Sequence, residues 1–234
     1  MSPIEPLEPR RLLTATLAAG VLTVTGTPGN DQINISRSKS GKLTVTEKVI
    51  SVSGNVTTIT TLPKTVVDFS AVTSVVVKLG DGNDTITLTG GKGNPFVTAS
   101  TVEGGAGNDS VTSGNGNDVL RGGGGDDRLT AGGGNDSLHG DDGNDRLYGN
   151  DGDDRLYGSF GGDQLTGGNG ADLLDGGLNN DKLYADDGVI GNDTVEGGGA
   201  DIPAKPKRTS GDYAVIDVGD LILRVRRVET VHPD

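Results

Sequence analysis

The sequence predicts an all-β chain wound as a solenoid of short strands and glycine turns, and three observations carry that expectation. A nine-residue pattern recurs nine times without a gap from Gly104 to Tyr184. Of the 234 residues 41 are glycine and only 3% are aromatic, too few bulky side chains for a conventional packed core, so backbone stacking has to hold the chain together. Outside the repeat the chain alternates apolar and polar residues rich in Val, Ile and Thr, the period of strands, and no stretch has the period of a helix.

The elements follow in order. Residues 1–19 hold two arginines and then Leu12, Leu13, Leu17, Ala18 and Ala19, the order of charges and apolar residues in a weak signal peptide. Within them "LEPRRLL", Leu7 to Leu13, resembles the short LEPR-XLL motif of bacterial surface and exported proteins, which implies an envelope or extracellular location. Residues 20–103 read as successive strands, "GVLTVTG", "DQINIS", "GKLTVTE", "TTITTL" and "VTSVVVKLGDGNDTITLTG", divided by glycine and asparagine turns. Because two outlying nonads punctuate them, they are expected to form a β-helical lead-in continuous with the repeat, the alternative being a separate globular domain. After the repeat block, 104–196, the stretch "GGGADIPAKPKRTSG" is a polar loop. The last segment, "DYAVIDVGDLILRVRRVETV", alternates like a strand pair and is expected to cap the open end of the solenoid, completing a fourth region over 197–234.

The repeat frame reads GGAGNDSVT from 104, SGNGNDVLR, GGGGDDRLT, AGGGNDSLH, GDDGNDRLY, GNDGDDRLY, GSFGGDQLT, GGNGADLLD and GGLNNDKLY. The sixth position is always aspartate: Asp109, Asp118, Asp127, Asp136, Asp145, Asp154, Asp163, Asp172 and Asp181. The eighth is Val111 or a leucine, from Leu120 to Leu183. Three outlying nonads fit the same frame, "GTPGNDQIN" from 26, "LGDGNDTIT" from 79 and "GVIGNDTVE" from 188, the last contributing Asp193 after the insertion Ala185-Asp186-Asp187.

This frame resembles the RTX (repeats-in-toxin) family, the hemolysin-type nonapeptide G-G-x-G-x-D-x-U-x in which U is a large apolar residue. The resemblance implies a parallel β-roll with calcium bound between stacked turns. Positions seven to nine alternate as one short strand with its apolar residue inward, and positions one to six are expected to make the turn, where glycine reaches positive φ freely. If two nonads complete a coil of 18 residues, aspartates 18 apart become neighbours along each edge of the roll. One edge then carries Asp109, Asp127, Asp145, Asp163 and Asp181, and the other Asp118, Asp136, Asp154 and Asp172.

Stacked carboxylates repel one another unless a cation lies between them. Carboxylates and peptide carbonyls are hard oxygen donors that suit calcium, which takes six to eight of them, better than the tight octahedron of magnesium. The expected ligands are these nine aspartates and Asp193, together with the turn glycines Gly105, Gly107, Gly114, Gly116, Gly123, Gly125, Gly132, Gly134, Gly143, Gly152, Gly161, Gly168 and Gly170. By analogy with the family, about seven calcium ions sit between turns, four on one edge and three on the other. Asn179, Phe160, Leu178, Val189 and Ile190 depart from the turn pattern, and the three-residue insertion is expected to break the stack before Asp193.

Charge and composition limit the functions. The chain has a net charge of −13, and its excess of carboxylates falls within 104–196, so nucleic acid and anionic membranes are poor partners and a cation is a good one. There is no cysteine and only two histidines, His139 and His232, which excludes disulfides and thiolate metal sites and leaves little for zinc or haem. No apolar run approaches a membrane span of about 18 residues.

No nucleophile elbow, HExxH or Walker motif occurs, so no catalytic residue is expected and the chain is read as a calcium-binding module rather than an enzyme. Because its small core cannot offset the entropy of ordering so much glycine, the block is expected to fold only on binding calcium. Secretion or display at the cell surface follows from the resemblance. A surface adhesin or envelope structural protein that contacts glycans or a cell surface, or an accessory module of a secreted enzyme, is the alternative. Tyr148, Tyr157, Tyr184 and His139 at ninth positions should point outward, either as plain surface or, with Arg128, Arg146 and Arg155, as a sugar-contacting stripe. "RVRR", with Arg224, Arg226 and Arg227, reads as an exposed strand face, the alternative being a patch for nucleic acid or envelope anions.

Overall fold

A computed structural model describes residues 14–53, 56–61, 64–90, 95–184, 194–196, 207–208, 213–215 and 221–222. The LEPR-XLL-like residues, Val189, Ile190, Asp193 and the RVRR run lie outside them. The described residues are strands and turns, with one 3-10 turn at Phe69–Ala71.

Two sheets face each other, and from residue 74 to residue 184 the chain visits them alternately. The first sheet takes Val21–Thr25, Ser74–Asp81, Ser100–Ala106, Val119–Gly124, Ser137–Asp142, Arg155–Phe160, Leu173–Leu178 and Thr194–Glu196 in spatial order, all parallel. The second takes Asp31–Arg37, Thr85–Gly90, Ser110–Thr112, Arg128–Gly133, Arg146–Asp151, Gln164–Asn169 and Lys182–Tyr184 in the same way. Within the repeat each paired strand residue has as its partner the one 18 further on, as Leu120 with Leu138 and Leu129 with Leu147. Two nonads therefore make one coil of a parallel β-roll.

The register also shows how the lead-in joins. Ile33 pairs with Ile86 and Ile86 with Val111, so the two outlying nonads occupy the same column as the repeat despite the longer chain between them. Antiparallel strands lie at the amino-terminal end: Thr14–Ala18 pairs with Val21–Thr25, and Lys42–Ser53 pairs with Asp31–Arg37, Val56–Thr61 and Thr65–Asp68.

At the other end Tyr213–Val215 pairs with Thr194–Glu196 and Leu221–Ile222 with Lys182–Tyr184. These two segments extend one sheet each and do not pair with one another. The inserted residues do not break the stack: Leu174 pairs with Val195, and the Thr194 amide donates to Asp172 O at 2.7 Å, as Ser137 does to Asp118 O in an uninterrupted coil.

The core is two ladders of eighth-position side chains. Val102, Leu120, Leu138, Leu156 and Leu174 line the first sheet, and Ile86, Val111, Leu129, Leu147, Leu165 and Leu183 the second, each fully buried. Strands in the repeat are longer and turns shorter than the frame alone suggests. Arg128–Gly133 runs from position seven through position three of the next nonad, and only Gly134, Asn135 and Asp136 turn the chain. Glycine-rich residues can stay in a strand here because the neighbouring coil supplies their hydrogen bonds, as where Gly133 donates to Gly114 O at 2.9 Å, and the turn glycines that follow are held in the same way, Gly134 donating to Asp151 O and Gly143 to Phe160 O, both at 2.9 Å.

Candidate metal centres along the turn edges

Each sixth-position aspartate enters a strand with its side chain facing inward, because positions six, eight and one alternate to the interior face. All nine in the block are 2% exposed or less. The structure places them in two columns spaced by one coil, and it adds a bond that the sequence does not reveal. One carboxylate oxygen accepts the backbone N–H of the aspartate one coil earlier: Asp109 donates to Asp127 Oδ1, Asp127 to Asp145, both at 2.7 Å, and Asp145 to Asp163 and Asp163 to Asp181, both at 2.8 Å. Upstream this column continues through Asp84, whose amide donates to Asp109, and Asp31, whose amide donates to Asp84. The opposite edge runs from Ser100 through Asp118, Asp136 and Asp154 to Asp172.

The other oxygen is what makes these columns candidates. Oδ2 of Asp84, Asp109, Asp127, Asp136, Asp145, Asp154 and Asp163 is buried and accepts no hydrogen bond. For Asp109, Asp127, Asp145, Asp154 and Asp163 it lies beside the first-position glycine of the same nonad, whereas the nonads of Asp84 and Asp136 have Leu79 and Ala131 there; at these first positions the strand ladder skips a residue: Arg121 pairs with His139 and Gly123 with Asp141, but Gly122 and Gly140 form no such pair. A methyl group placed on Gly122 would sit under 3.0 Å from both Asp127 Oδ2 and Gly140 O; on Gly140, under 3.0 Å from both Asp145 Oδ2 and Gly158 O. A carboxylate oxygen and a carbonyl oxygen thus both lie against the glycine Cα, which is why no side chain fits at Gly122 or Gly140, and the unpartnered carboxylate oxygen is a hard donor of the kind a divalent cation takes.

Burial decides the electrostatics. It pushes the carboxyls of Asp84, Asp127, Asp136 and Asp145 up to about 7 and those of Asp109, Asp154 and Asp163 up to about 6, against the opposing pull of the neighbouring amide. Among the described residues no three His, Cys, Asp or Glu side chains converge on one point. A cation held here therefore takes one or two carboxylates and fills its shell from backbone carbonyls, which glycine turns expose.

The turn glycines have distinct geometry. At the second and fourth positions φ is positive, 119° at Gly132 and 142° at Gly143, and a side chain on Gly143 would run into Gly125 O of the preceding coil. Gly105, Gly107, Gly123, Gly125, Gly134, Gly152, Gly161, Gly168 and Gly170 share this conformation. Asp141, Asn150, Ser159 and Asn179 take it as well, with φ between 73° and 86°, so these substitutions preserve the turn. Gly114 and Gly116 do not take it. Their nonad leaves its strand at Thr112, and both glycines instead abut the Phe96–Thr98 segment.

That nonad differs chemically too. Its first position is Ser113, whose hydroxyl donates to Asp118 Oδ2, while Ser100 donates its amide at 2.6 Å and its hydroxyl at 2.8 Å to Oδ1. Asp118 has every oxygen satisfied by protein. Burial raises its pKa and these donors oppose the rise. The first acid of the other column is treated alike: Thr27 donates its amide to Asp31 Oδ2 at 2.7 Å and its hydroxyl to Oδ1 at 2.9 Å.

The fifth position, unassigned by sequence reasoning, carries a second ladder on the outside of the turns. Asp126 donates its amide to Asn108 Oδ1, Asn144 to Asp126 and Gly162 to Asn144; on the other edge Asn135 donates to Asn117, Asp153 to Asn135 and Ala171 to Asp153. The preference for Asn or Asp before the invariant aspartate follows from this need for an acceptor.

The ninth-position side chains lie on the outer faces. His139 stacks on Tyr157 at 4.8 Å, and the Arg128 guanidinium lies 4.4 Å above Tyr148 and donates to its hydroxyl. Of the turn positions with apolar bulk, Phe160 and Leu178 are paired strand neighbours exposed to solvent.

Comparison with known protein families agrees with this geometry. The family model of the RTX calcium-binding nonapeptide repeat matches residues 99–129, 130–165 and 157–189. No curated protein matches the chain.

Proposed function

We propose that this chain, whose residues 99–189 are RTX calcium-binding nonapeptide repeats, couples calcium binding to the folding of an extracellular or cell-surface β-roll and carries no catalytic activity of its own. Calcium supplies positive charge and a flexible oxygen-coordination shell. The protein's residues do the rest: Asp109, Asp127, Asp136, Asp145, Asp154 and Asp163 each present a buried carboxylate oxygen, and the glycine turns beside them would supply backbone carbonyls. Asp172 and Asp181 continue the two columns, Asp193 follows in the sequence frame, and about seven ions in all would fit the stacked turns.

The observation that carries this reading is the row of buried, unpartnered Oδ2 atoms along the two turn edges. Leaving them ionised and unpaired opposes folding. Pairing each with calcium turns that penalty into binding free energy available only to the folded roll. Such coupling makes biological sense where calcium is abundant, and weak sites in the 0.1 to 1 mM range that extracellular modules use would fill outside the cell.

Calorimetric titration of calcium into the chelator-treated chain tests it. A stoichiometry near seven with a large folding enthalpy is expected. No binding at millimolar calcium would refute it.

A further inference from the structure

The two outer faces of the roll differ in charge. In each sheet the seventh, ninth and second positions of the nonad point outward, because the eighth and first point into the core. On the first sheet these outward positions mix signs: Arg121, His139 and Arg155 stand among Glu103, Asp141 and Asp175. On the second sheet, from Thr85 to Tyr184, they carry Arg128, Arg146 and Lys182 among uncharged polar residues and glycine, with no acid. The stripe of arginines and tyrosines suggested by the sequence is thus divided between opposite faces, and one of them is purely cationic.

Arg128, Arg146 and Lys182 are exposed and stand in one row, with neutral Gln164 between Arg146 and Lys182. The ion pairs among the described residues, Lys42 with Asp68 and Lys78 with Glu103, involve none of them. Arg128 leans onto the next coil: its guanidinium lies 4.4 Å above the Tyr148 ring and donates to the Tyr148 hydroxyl at 3.2 Å. That stack holds the guanidinium over the strand that carries Arg146, so less freedom is lost when an anion binds. Neighbouring coils are about 4.8 Å apart, close to the length of one sugar in an extended chain. Two guanidiniums therefore meet at one coil, a neutral coil follows, and the next cation stands two coils, about 10 Å, further on.

We propose that this face binds an extended polysaccharide carrying a carboxylate on alternate sugars, one carboxylate between Arg128 and Arg146 and the next on Lys182. The adjoining row of Thr130, Thr166 and Tyr184 offers hydroxyls to the sugars along it. Nucleic acid fits poorly, because a single strand presents a phosphate about every 3.4 Å and a duplex one about every 1.7 Å. Three cations over about 14 Å are too sparse for either. Calcium gates the contact: the chain has a net charge of −13, and about seven divalent ions in the acid columns cancel it, so the cationic face acts on a polyanion in the loaded roll alone. That dependence rests on the function proposed above; the face itself does not.

Fluorescence anisotropy of an end-labelled hyaluronan oligosaccharide, which has a carboxylate on every second sugar, tests this. The full chain is titrated in at pH 7.5, in millimolar calcium and in chelator. Binding is expected in calcium, weaker at high salt, and none in chelator. Arg128→Gln/Arg146→Gln should bind about tenfold more weakly. Arg121→Gln/Arg155→Gln, which removes the same charge from the other face, should bind as the wild type does. Thr166→Glu, which adds an acid to the face and leaves the Arg128–Tyr148 stack in place, should also weaken binding, and it decides the matter if circular dichroism shows the first variant unfolded.

A wild type that folds in calcium and leaves the oligosaccharide free would overturn the proposal and spare calcium-coupled folding. A wild type that is β-rich in chelator and binds there through the same arginines would overturn calcium-coupled folding and spare the face. Equal losses in the two double variants, or equal binding of neutral dextran or of single-stranded DNA, would overturn the proposal.

Discussion

Replacing Asp145 by asparagine should stabilise the roll without calcium and weaken it with calcium. Asp145 accepts the Asp127 amide through Oδ1 at 2.7 Å, and an asparagine oxygen can do the same. Its Oδ2 is buried and unpartnered; an amide nitrogen there faces Gly158 O, the acceptor that shares the space above Gly140. The carboxyl is pushed from 3.8 to about 7 in the fold. A raised folded value means that the folded chain holds more protons than the unfolded chain between those two pH values, so metal-free stability falls as pH rises through them.

At pH 8 the full penalty for this one carboxyl is at most ~4 kcal/mol at 1.36 kcal/mol per pH unit. Water at the turn and mobile ions screen part of it, leaving about 2 kcal/mol. The assay is circular dichroism in chelator at pH 8 while a protecting osmolyte is titrated to favour the compact state. Asp145→Asn should fold at lower osmolyte than the wild type, and the advantage should vanish near pH 4. In calcium the order should reverse. A variant that is less folded than the wild type in chelator would refute the claim that the buried charge opposes folding.

Other consequences follow from the same geometry. Leu147 is fully buried between Leu129 and Leu165, so Leu147→Ala should cost about 2 to 5 kcal/mol, read as a lower unfolding midpoint in calcium. Gly143→Ala should disrupt folding, because its φ is 142° and its new methyl meets Gly125 O, whereas Gly124→Ala, with no heavy atom within 4 Å, should leave thermal stability unchanged. Where osmolyte holds the metal-free roll folded, calcium affinity should fall as pH drops through 7 towards 6, since the folded carboxyls are raised to about 7 and about 6 and must lose their protons to bind; calorimetry in buffers of different ionisation enthalpy would count the protons released.

The period of the repeat was enough to place its inward leucines, its 18-residue coil and its two aspartate columns, because each depends only on which residues recur. What it could not show are contacts made across coils. The Asp109 amide finds Asp127 only once the coils stack, which is why a carboxylate that looked purely metal-binding also holds the backbone. Ser113 stands where most nonads have glycine, and only the folded roll shows that its hydroxyl closes Asp118. Positions one to three looked like turn because glycine dominates them, yet they pair as strand with the neighbouring coil. Glu47 lies in an ordinary alternating strand, "GKLTVTE", and nothing local marks it as buried; only its antiparallel register with Asp31–Arg37 brings it to the acid column.

The most direct test of the central claim is the far-ultraviolet circular dichroism of the full chain, recorded first in chelator and then in millimolar calcium at pH 7.5. Ions that neutralise buried acids require a disordered spectrum that becomes β-rich on adding calcium and reverts on removing it. A β-rich spectrum unchanged between the two conditions would contradict the account.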